Sequence, residues 1–426
     1  MTDTGLRGTP RLPAGLFADR DFRLLWAGET ISRLGSAVTA VALPLVAVVT
    51  LDAGPLATGL LSAAVWLPWL LIGLPAGVWV GRWRRRTVLV RADLVAAALY
   101  ASVPAAALLG VLTLAQLVLV ALLAGTAAVF LGTAHQAYLP DLLHPERLTE
   151  GNARLQGGAS AAQVAGPGVA GLTVQAFGAA AALLVDAASF LAAAAALLLI
   201  RDRPAQAPAA DPAPLGRRVR EGLAFVRRDP YLRALLRYGA AANLALAGYQ
   251  AVAVLFLVDE LGVAPAAVGW PAAAGALGGV AGAALARPVT RRYGTARGVL
   301  LALLTATPFG LLLPSARPGA GVLLYAAGSA VMVAGVVLAN VVIGGFRQRY
   351  APPALLSRVV ATSMAANQAT IPLGAVIGGG LGEWLGLRPA MWITIGLLVA
   401  CAALLIASPL RRVRDLPDAW SETPEK

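Results

Sequence analysis

Glu29 and Arg33 stand four residues apart inside an apolar run that extends from about residue 24 to 50. On a helix this spacing puts both on one face, which Ser36 and Ala40 extend. A carboxylate and a guanidinium one turn apart form an ion pair. If a proton can reach the carboxylate, the same pair is a switch, because protonation discharges the acid and frees the arginine. Asp186 is the contrasting case. It lies among Leu183, Leu184, Val185 and Phe190 with no basic residue within a turn, so its carboxyl is the easier one to protonate. Asp93 follows Arg91 by two residues in a third apolar run and is expected to pair with a nearby arginine. Glu29, Arg33, Asp186 and Asp93 are the groups to consider for proton transfer, since an ionisable side chain in hydrocarbon costs about 2.5–3.5 kcal/mol and is retained for a use.

Other chemistries are missing. Lys426 is the only lysine, and a phosphate-binding loop needs a lysine after its glycines. His135 and His144, the only histidines, and Cys401, the only cysteine, offer neither a zinc spacing nor a disulfide. No metal and no cofactor is expected, and no acid pair has a spacing that suits catalysis, so an enzyme is not expected. The run GPGVAG at 166–171 fits a dinucleotide-binding pattern only formally, because no strand precedes it.

These groups must be held by membrane helices. Of 426 residues, 58% are hydrophobic and 13% charged, against about 25% charged in soluble domains. At about 20 apolar residues per span, the chain can supply about twelve. Apolar runs fall at 24–50, 56–80, 88–110, 114–137, 156–177 and 179–200, then at 236–258, 266–286, 298–314, 320–346, 359–382 and 389–409. The chain is therefore expected to be an all-α membrane protein of twelve transmembrane helices in two six-helix pseudo-repeats. Its parts are an N-terminal segment (1–23), an N-terminal bundle (24–200), a central loop (201–235) containing an amphipathic helix at the membrane surface, a C-terminal bundle (236–409) and a tail (410–426). Prolines inside the runs, Pro308 among them, are expected to kink the helices. With the N-terminus inside, 31 of the 34 basic residues fall on inner segments and only Arg317 and Arg388 on outer loops, which predicts cytoplasmic termini. The net charge of +13 then reflects topology and not nucleic acid. Gly77, Arg82 and Arg86 recur 205 residues later as Gly282, Arg287 and Arg291, and Gln163 and Pro167 as Gln368 and Pro372. Repeats that both start inside are parallel repeats, two bundles able to rock about a site between them.

The six-plus-six layout resembles a major facilitator superfamily transporter. GVWVGRWRRR at 77–86 is similar to that superfamily's motif A, with Gly77, Arg82 and Arg86 as its gate-like residues, although Gly81 stands where an aspartate is usual. AGPGVAG at 165–171, through Gly166, Pro167 and Gly171, is similar to the antiporter motif. DFRLLWAGETISRLG and QAYLPDLLHPERLTEGNARLQ resemble the drug:proton antiporter family 3, the branch of macrolide and siderophore exporters. The resemblance implies a bacterial inner-membrane monomer that exports a small amphipathic molecule, a drug or natural product, in exchange for protons. A dedicated siderophore or single-metabolite exporter is the alternative, and a transport-inactive scaffold or sensor belongs to a different class. The resemblance also implies that helices 1, 4, 7 and 10 line the cavity. That nominates Ser36, Thr126, Thr133, Asn243, Gln250, Tyr325, Ser329 and Asn340, with Gln163 and Gln368 from helices 5 and 11. Cavity position ranks Glu29 ahead of Asp186 for coupling. The glycine ladders Gly73/Gly77/Gly81, Gly275/Gly279 and Gly374/Gly378/Gly382 are expected to pack at the moving interface.

Overall fold

The computed structural model describes residues 15–201 and 215–417, and these are all-helical. The first half contains α1 (Arg20–Leu45), α2 (Pro55–Arg82), α3 (Arg85–Leu108), α4 (Leu114–Leu142), α5 (Leu148–Phe177) and α6 (Ala179–Leu199). A linking helix α7 (Leu215–Arg228) follows. The second half contains α8 (Pro230–Leu255), α9 (Gly269–Tyr293), α10 (Thr295–Ala306), the short α11 (Leu312–Ser315), α12 (Gly321–Tyr350), α13 (Pro353–Leu385) and α14 (Leu387–Leu404). Among the described residues, ten helical segments are long and apolar enough to cross a membrane, fewer than the twelve expected. The 30-residue α5 and 33-residue α13 are not among the ten; in α5 the glycines, Gln163 and Gln175 dilute the hydropathy.

Several helices extend beyond their apolar runs at the arginine-rich end. α1 begins at Arg20 and not at 24, because the Asp19 carboxylate caps it by accepting from the backbone N–H groups of Asp21 (2.9 Å) and Phe22 (3.3 Å). α8 begins at Pro230, capped in the same way by Asp229. Hydropathy ends where charge begins, whereas backbone hydrogen bonding continues into the headgroup region. Segments 287–293 and 347–350, expected as loop, are therefore helix. Pro308 sits in a 3-10 segment, Thr307–Leu311, between α10 and α11 within one helical span, Thr295–Ser315.

The two halves pack alike. α1 lies against α5 and α6, α2 against α4, and α3 against α4 and α6; in the second half α8 lies against α13 and α14, α9 against α12, and α10 against α12 and α14. α1 and α8 both end in a π-helical turn, Val46–Thr50 and Phe256–Glu260. Between the halves, α2 packs on α13 and α5 on α9. The close glycine approaches across this junction lie at the arginine-poor end. A Cβ on Gly59 would stand 2.6 Å from the Ala375 carbonyl oxygen, one on Gly379 2.7 Å from the Pro55 oxygen, and one on Gly171 2.6 Å from the Ala266 oxygen. Glu383 Oε2 adds a hydrogen bond from the Leu56 N–H at 3.3 Å.

The glycine ladders divide accordingly. Gly374 and Gly378 touch the α8 backbone, and Gly275 and Gly279 touch α12 side chains, all within the second half; Gly382 reaches across to Pro55. Among the described residues, Gly77 and Gly81 have nothing within 4 Å of where a Cβ would stand, and that ladder meets no other helix there. At the junction no methyl group fits, whereas at Gly77 and Gly81 one would meet none of the described residues.

α7 docks against α13. Glu221 accepts from Arg217 at 2.8 Å and pairs with Arg358 on α13, while Val226 is fully buried. The Pro- and Ala-rich stretch before it, the first fourteen residues and the last nine lie outside the described residues.

Candidate functional site

The exposed face of α1 is the one that the helical period marks in the sequence. Arg33, Ser36 and Ala40 are exposed and Glu29 half-buried, while Gly28, Gly35, Val38 and Thr39 on the opposite side are buried. Gly28 packs on Ala193 and Ala196, and Gly35 on Ser189 and Asp186. Small residues thus seat α1 against α6 and turn the ionisable stripe outward.

Arg33 Nη2 donates to Glu29 Oε1 at 2.9 Å. Glu29 Oε2 faces His135 Nδ1 on α4 at 3.5 Å and is buried without a hydrogen-bond partner among the described residues. A half-open cleft of about 120 Å³ adjoins the three, with Gln136, Asn152 and Gln156 on its wall. One carboxylate therefore has a fixed arginine on one oxygen and a titratable ring just beyond hydrogen-bonding distance on the other. In the sequence His135 stands out only as a histidine without zinc spacing. Its one available signal is a position on helix 4, a cavity-lining helix by resemblance.

Asp186 is fully buried between α6 and α1. Its Oδ2 accepts from Thr39 Oγ1 at 2.6 Å and its Oδ1 from Ser189 Oγ at 3.1 Å. Two hydroxyls thus stand where a cation would otherwise be needed. Asp186→Asn replaces one acceptor oxygen by a donor facing these hydroxyls. It is expected to cost about 1–3 kcal/mol, lowering the thermal midpoint of the purified protein by several degrees and weakening binding and transport together. An unchanged midpoint would count against this structural role. Asp93 is also buried, and its Oδ2 has no hydrogen-bond partner among the described residues; the arginine pairing expected for it is absent there.

The motif A-like arginines act within the first half. Arg86 donates from Nε to the Leu197 carbonyl at 2.8 Å and from Nη2 to that of Leu198 at 2.6 Å, capping the C-terminus of α6 where carbonyls lack partners. Arg85 is buried, pairs with Asp141 on α4 and donates to the Ala137 carbonyl at 3.2 Å. Arg82 and Gly77 are exposed. In the antiporter-like segment, Gly166 packs on Ala37 of α1, and Pro167 and Gly171 meet Gly269 and Ala266 at the junction of the halves.

The nominated polar residues do not converge on one site. Thr126 and Thr133 donate back to the Leu122 and Val129 carbonyls of their own helix at 2.9 and 2.8 Å. Asn243 reaches the Asn367 carbonyl on α13 at 3.5 Å. Tyr325 and Ser329 are both buried: the Tyr325 hydroxyl meets that of Tyr249 at 2.8 Å, and Tyr325 stacks on Phe256. The two tyrosine hydroxyls satisfy one another, which lets Tyr325 sit in the core. Gln163, Gln250 and Asn340 are exposed, and Gln368 is half-buried. Tyr249 and Asn367 carry no signal in the sequence, because each is defined by a partner on a distant helix.

The sequence pattern of the transmembrane secretion effector family matches residues 13–424. The chain belongs to this family of MFS transporters. The transporter is 29% identical over 398 residues to the multidrug efflux pump Tap of Mycolicibacterium fortuitum, covering 90% of this chain and 93% of that one. Among solved structures it is similar to a mutant of the nucleoside transporter NupG, with a TM-score of 0.77 at 14% identity, over 91% of this chain and 99% of that one. A bacterial homologue of the iron transporter ferroportin, 17% identical, is matched in two states. Its inward-facing state gives a TM-score of 0.72 over 92% and 99% of the two chains, and its outward-facing state 0.60 over 91% and 99%. The protein is thus a multi-pass membrane transporter and not an enzyme.

Proposed function

We propose that this transporter exports small amphipathic organic molecules by alternating access, in exchange for protons. The observation that carries the reading is the one-sided junction: α2 with α13 and α5 with α9 meet backbone to backbone at the arginine-poor end, while Gly77 and Gly81 at the other end of α2 face open space. On this reading α5 and α13 also cross the membrane, giving twelve spans in two parallel six-helix repeats, 24–200 and 236–409. The like packing of the two halves and their matching π-turns support the repeats. The arginine bias supports cytoplasmic termini in a bacterial inner membrane, so the conformation is open to the cytoplasm, in keeping with the better match to an inward-facing relative. The functional unit is a single chain.

Glu29 is the proton carrier, Arg33 its switchable partner, and His135 the neighbour that faces its second carboxylate oxygen. With Glu29 ionised, the pair with Arg33 keeps both groups engaged. With Glu29 protonated, Arg33 is freed and the exposed face of α1 changes charge beside the substrate path. The resemblance to Tap supports a broad amphipathic substrate range. Cells producing the protein are expected to accumulate several-fold less fluorescent dye and macrolide than cells lacking it, and dissipation of the pH gradient is expected to abolish the difference. Reduced accumulation of one compound alone would point to a dedicated siderophore or metabolite exporter, and unchanged accumulation across a wide panel would overturn export.

A further inference from the structure

At the corner where α7 hands over to α8, Arg227, Arg233 and Arg237 surround a cavity of about 330 Å³ whose remaining wall is Val226 and Leu236. All three arginines are exposed. Arg233 Nη1 donates to the Arg227 carbonyl at 3.3 Å, and none of the three has a carboxylate partner among the described residues. The acid at this corner is already committed. Asp229 is buried, one of its oxygens takes the Leu232 N–H at 2.7 Å and the other the Tyr350 hydroxyl at 2.6 Å. Three like charges held around one cavity repel one another, and an anion seated between them relieves that cost.

Depth identifies the anion. The helical segment Pro230–Glu260 has 31 residues, about 46 Å at 1.5 Å per residue, against a hydrocarbon core of about 30 Å. Its first two turns, which carry Arg233 and Arg237, therefore lie at the level of the lipid phosphates. Val226 and Leu236 give the cavity an apolar wall suited to the glycerol and upper acyl region. Basic pockets beside membrane helices take anionic headgroups, and guanidiniums bind phosphate oxygens in a fork.

We propose that this cavity is a binding site for the phosphodiester headgroup of an anionic phospholipid, which fixes α7 to the second half. The site depends on the membrane location of the chain and not on the direction of transport. The test uses the full-length protein purified in detergent and titrated with mixed micelles of phosphatidylglycerol or phosphatidylcholine, with the thermal midpoint as readout. Phosphatidylglycerol is expected to raise the midpoint by several degrees and phosphatidylcholine by much less. The triple variant Arg227→Gln, Arg233→Gln, Arg237→Gln is expected to lose most of the difference, while a charge-matched control, Arg291→Gln, Arg292→Gln, Arg297→Gln, keeps it. An equal rise with inorganic phosphate alone would show a free-anion site and overturn the lipid assignment, as would an equal response of the triple variant and the control. If the triple variant does not fold, the single variant Arg237→Gln is measured by native mass spectrometry. Retention of as many phosphatidylglycerol molecules as the unaltered protein holds would overturn the proposal, and loss of one would support it.

Discussion

Glu29→Gln is expected to abolish concentrative, pH-driven transport while leaving substrate binding and downhill exchange largely intact. Glutamine is close in size to glutamate and keeps an acceptor for Arg33, so the seating of α1 on α6 through Gly28 and Gly35 is undisturbed. What disappears is the group whose charge changes with a proton. In proteoliposomes with an imposed pH difference, accumulation against a gradient should fall at least tenfold, to the level seen without a pH difference, while counterflow of labelled substrate persists. His135→Gln removes only the neighbour 3.5 Å from Glu29 Oε2. It should retain pH-driven transport, since Glu29 and its pair with Arg33 both remain. If Glu29→Gln still concentrates substrate when only a pH difference is imposed, the carrier is a different group, and Asp186 and Asp93 are next in order.

Gly59→Leu should have the second large effect, on conformation. The new side chain would start 2.6 Å from the Ala375 carbonyl oxygen and 3.0 Å from the Gly379 Cα, and a backbone cannot move aside as a flexible side chain can. Overpacking of this kind costs about 1–3 kcal/mol, a factor of about 5–150 in the balance between two conformations. The cost falls only on the state in which the arginine-poor end is closed. Ala63, buried beside Ala251 and Ala375, reports on that closure. A cysteine replacing Ala63 should react faster with a membrane-impermeant maleimide in the Gly59→Leu background, by a factor in that range. Gly77→Leu, placed where no atom lies within 4 Å, should not accelerate it. Equal acceleration by both would mean that the junction is not the hinge of the transport cycle.

The α1 face is legible in the amino-acid sequence, because Glu29, Arg33, Ser36 and Ala40 are related by helical period alone. The place of His135 beside it is not. The contact spans 106 positions, and nothing local to HQAYLP marks which helix it will meet. The same holds for Thr39 and Asp186, 147 positions apart, and for Tyr249 and Tyr325, 76 apart. Tyr325 is recognisable in the sequence as a polar group in a span, and folding makes it a core residue by supplying Tyr249 as its partner. At the arginine-rich end, helices start earlier than the hydropathy pattern does. The apolar runs stop at the first charges, yet Asp19 and Asp229 start α1 and α8 four to six residues earlier by capping free backbone donors.

What the sequence by itself determined is the class of molecule, an all-helical membrane transporter. Transfer of a side chain to lipid is a one-body free energy, additive along the chain, so it can be read residue by residue. The 205-residue repeat offset was legible for a similar reason, as a property of the chain alone. The tertiary structure decided which helices pair, that Arg85 and Arg86 tie α3 to its own half, that Gly59, Gly171, Gly269 and Gly379 make the junction, and that the arginine-poor end is the closed one. Those are many-body matters. In lipid, helices gain little from hydrophobicity when they associate, and the choice among packings rests on close steric fit and on hydrogen bonds between residues far apart in the chain. Alternating access requires at least two such packings of nearly equal free energy, and no one-dimensional pattern says which of them is occupied.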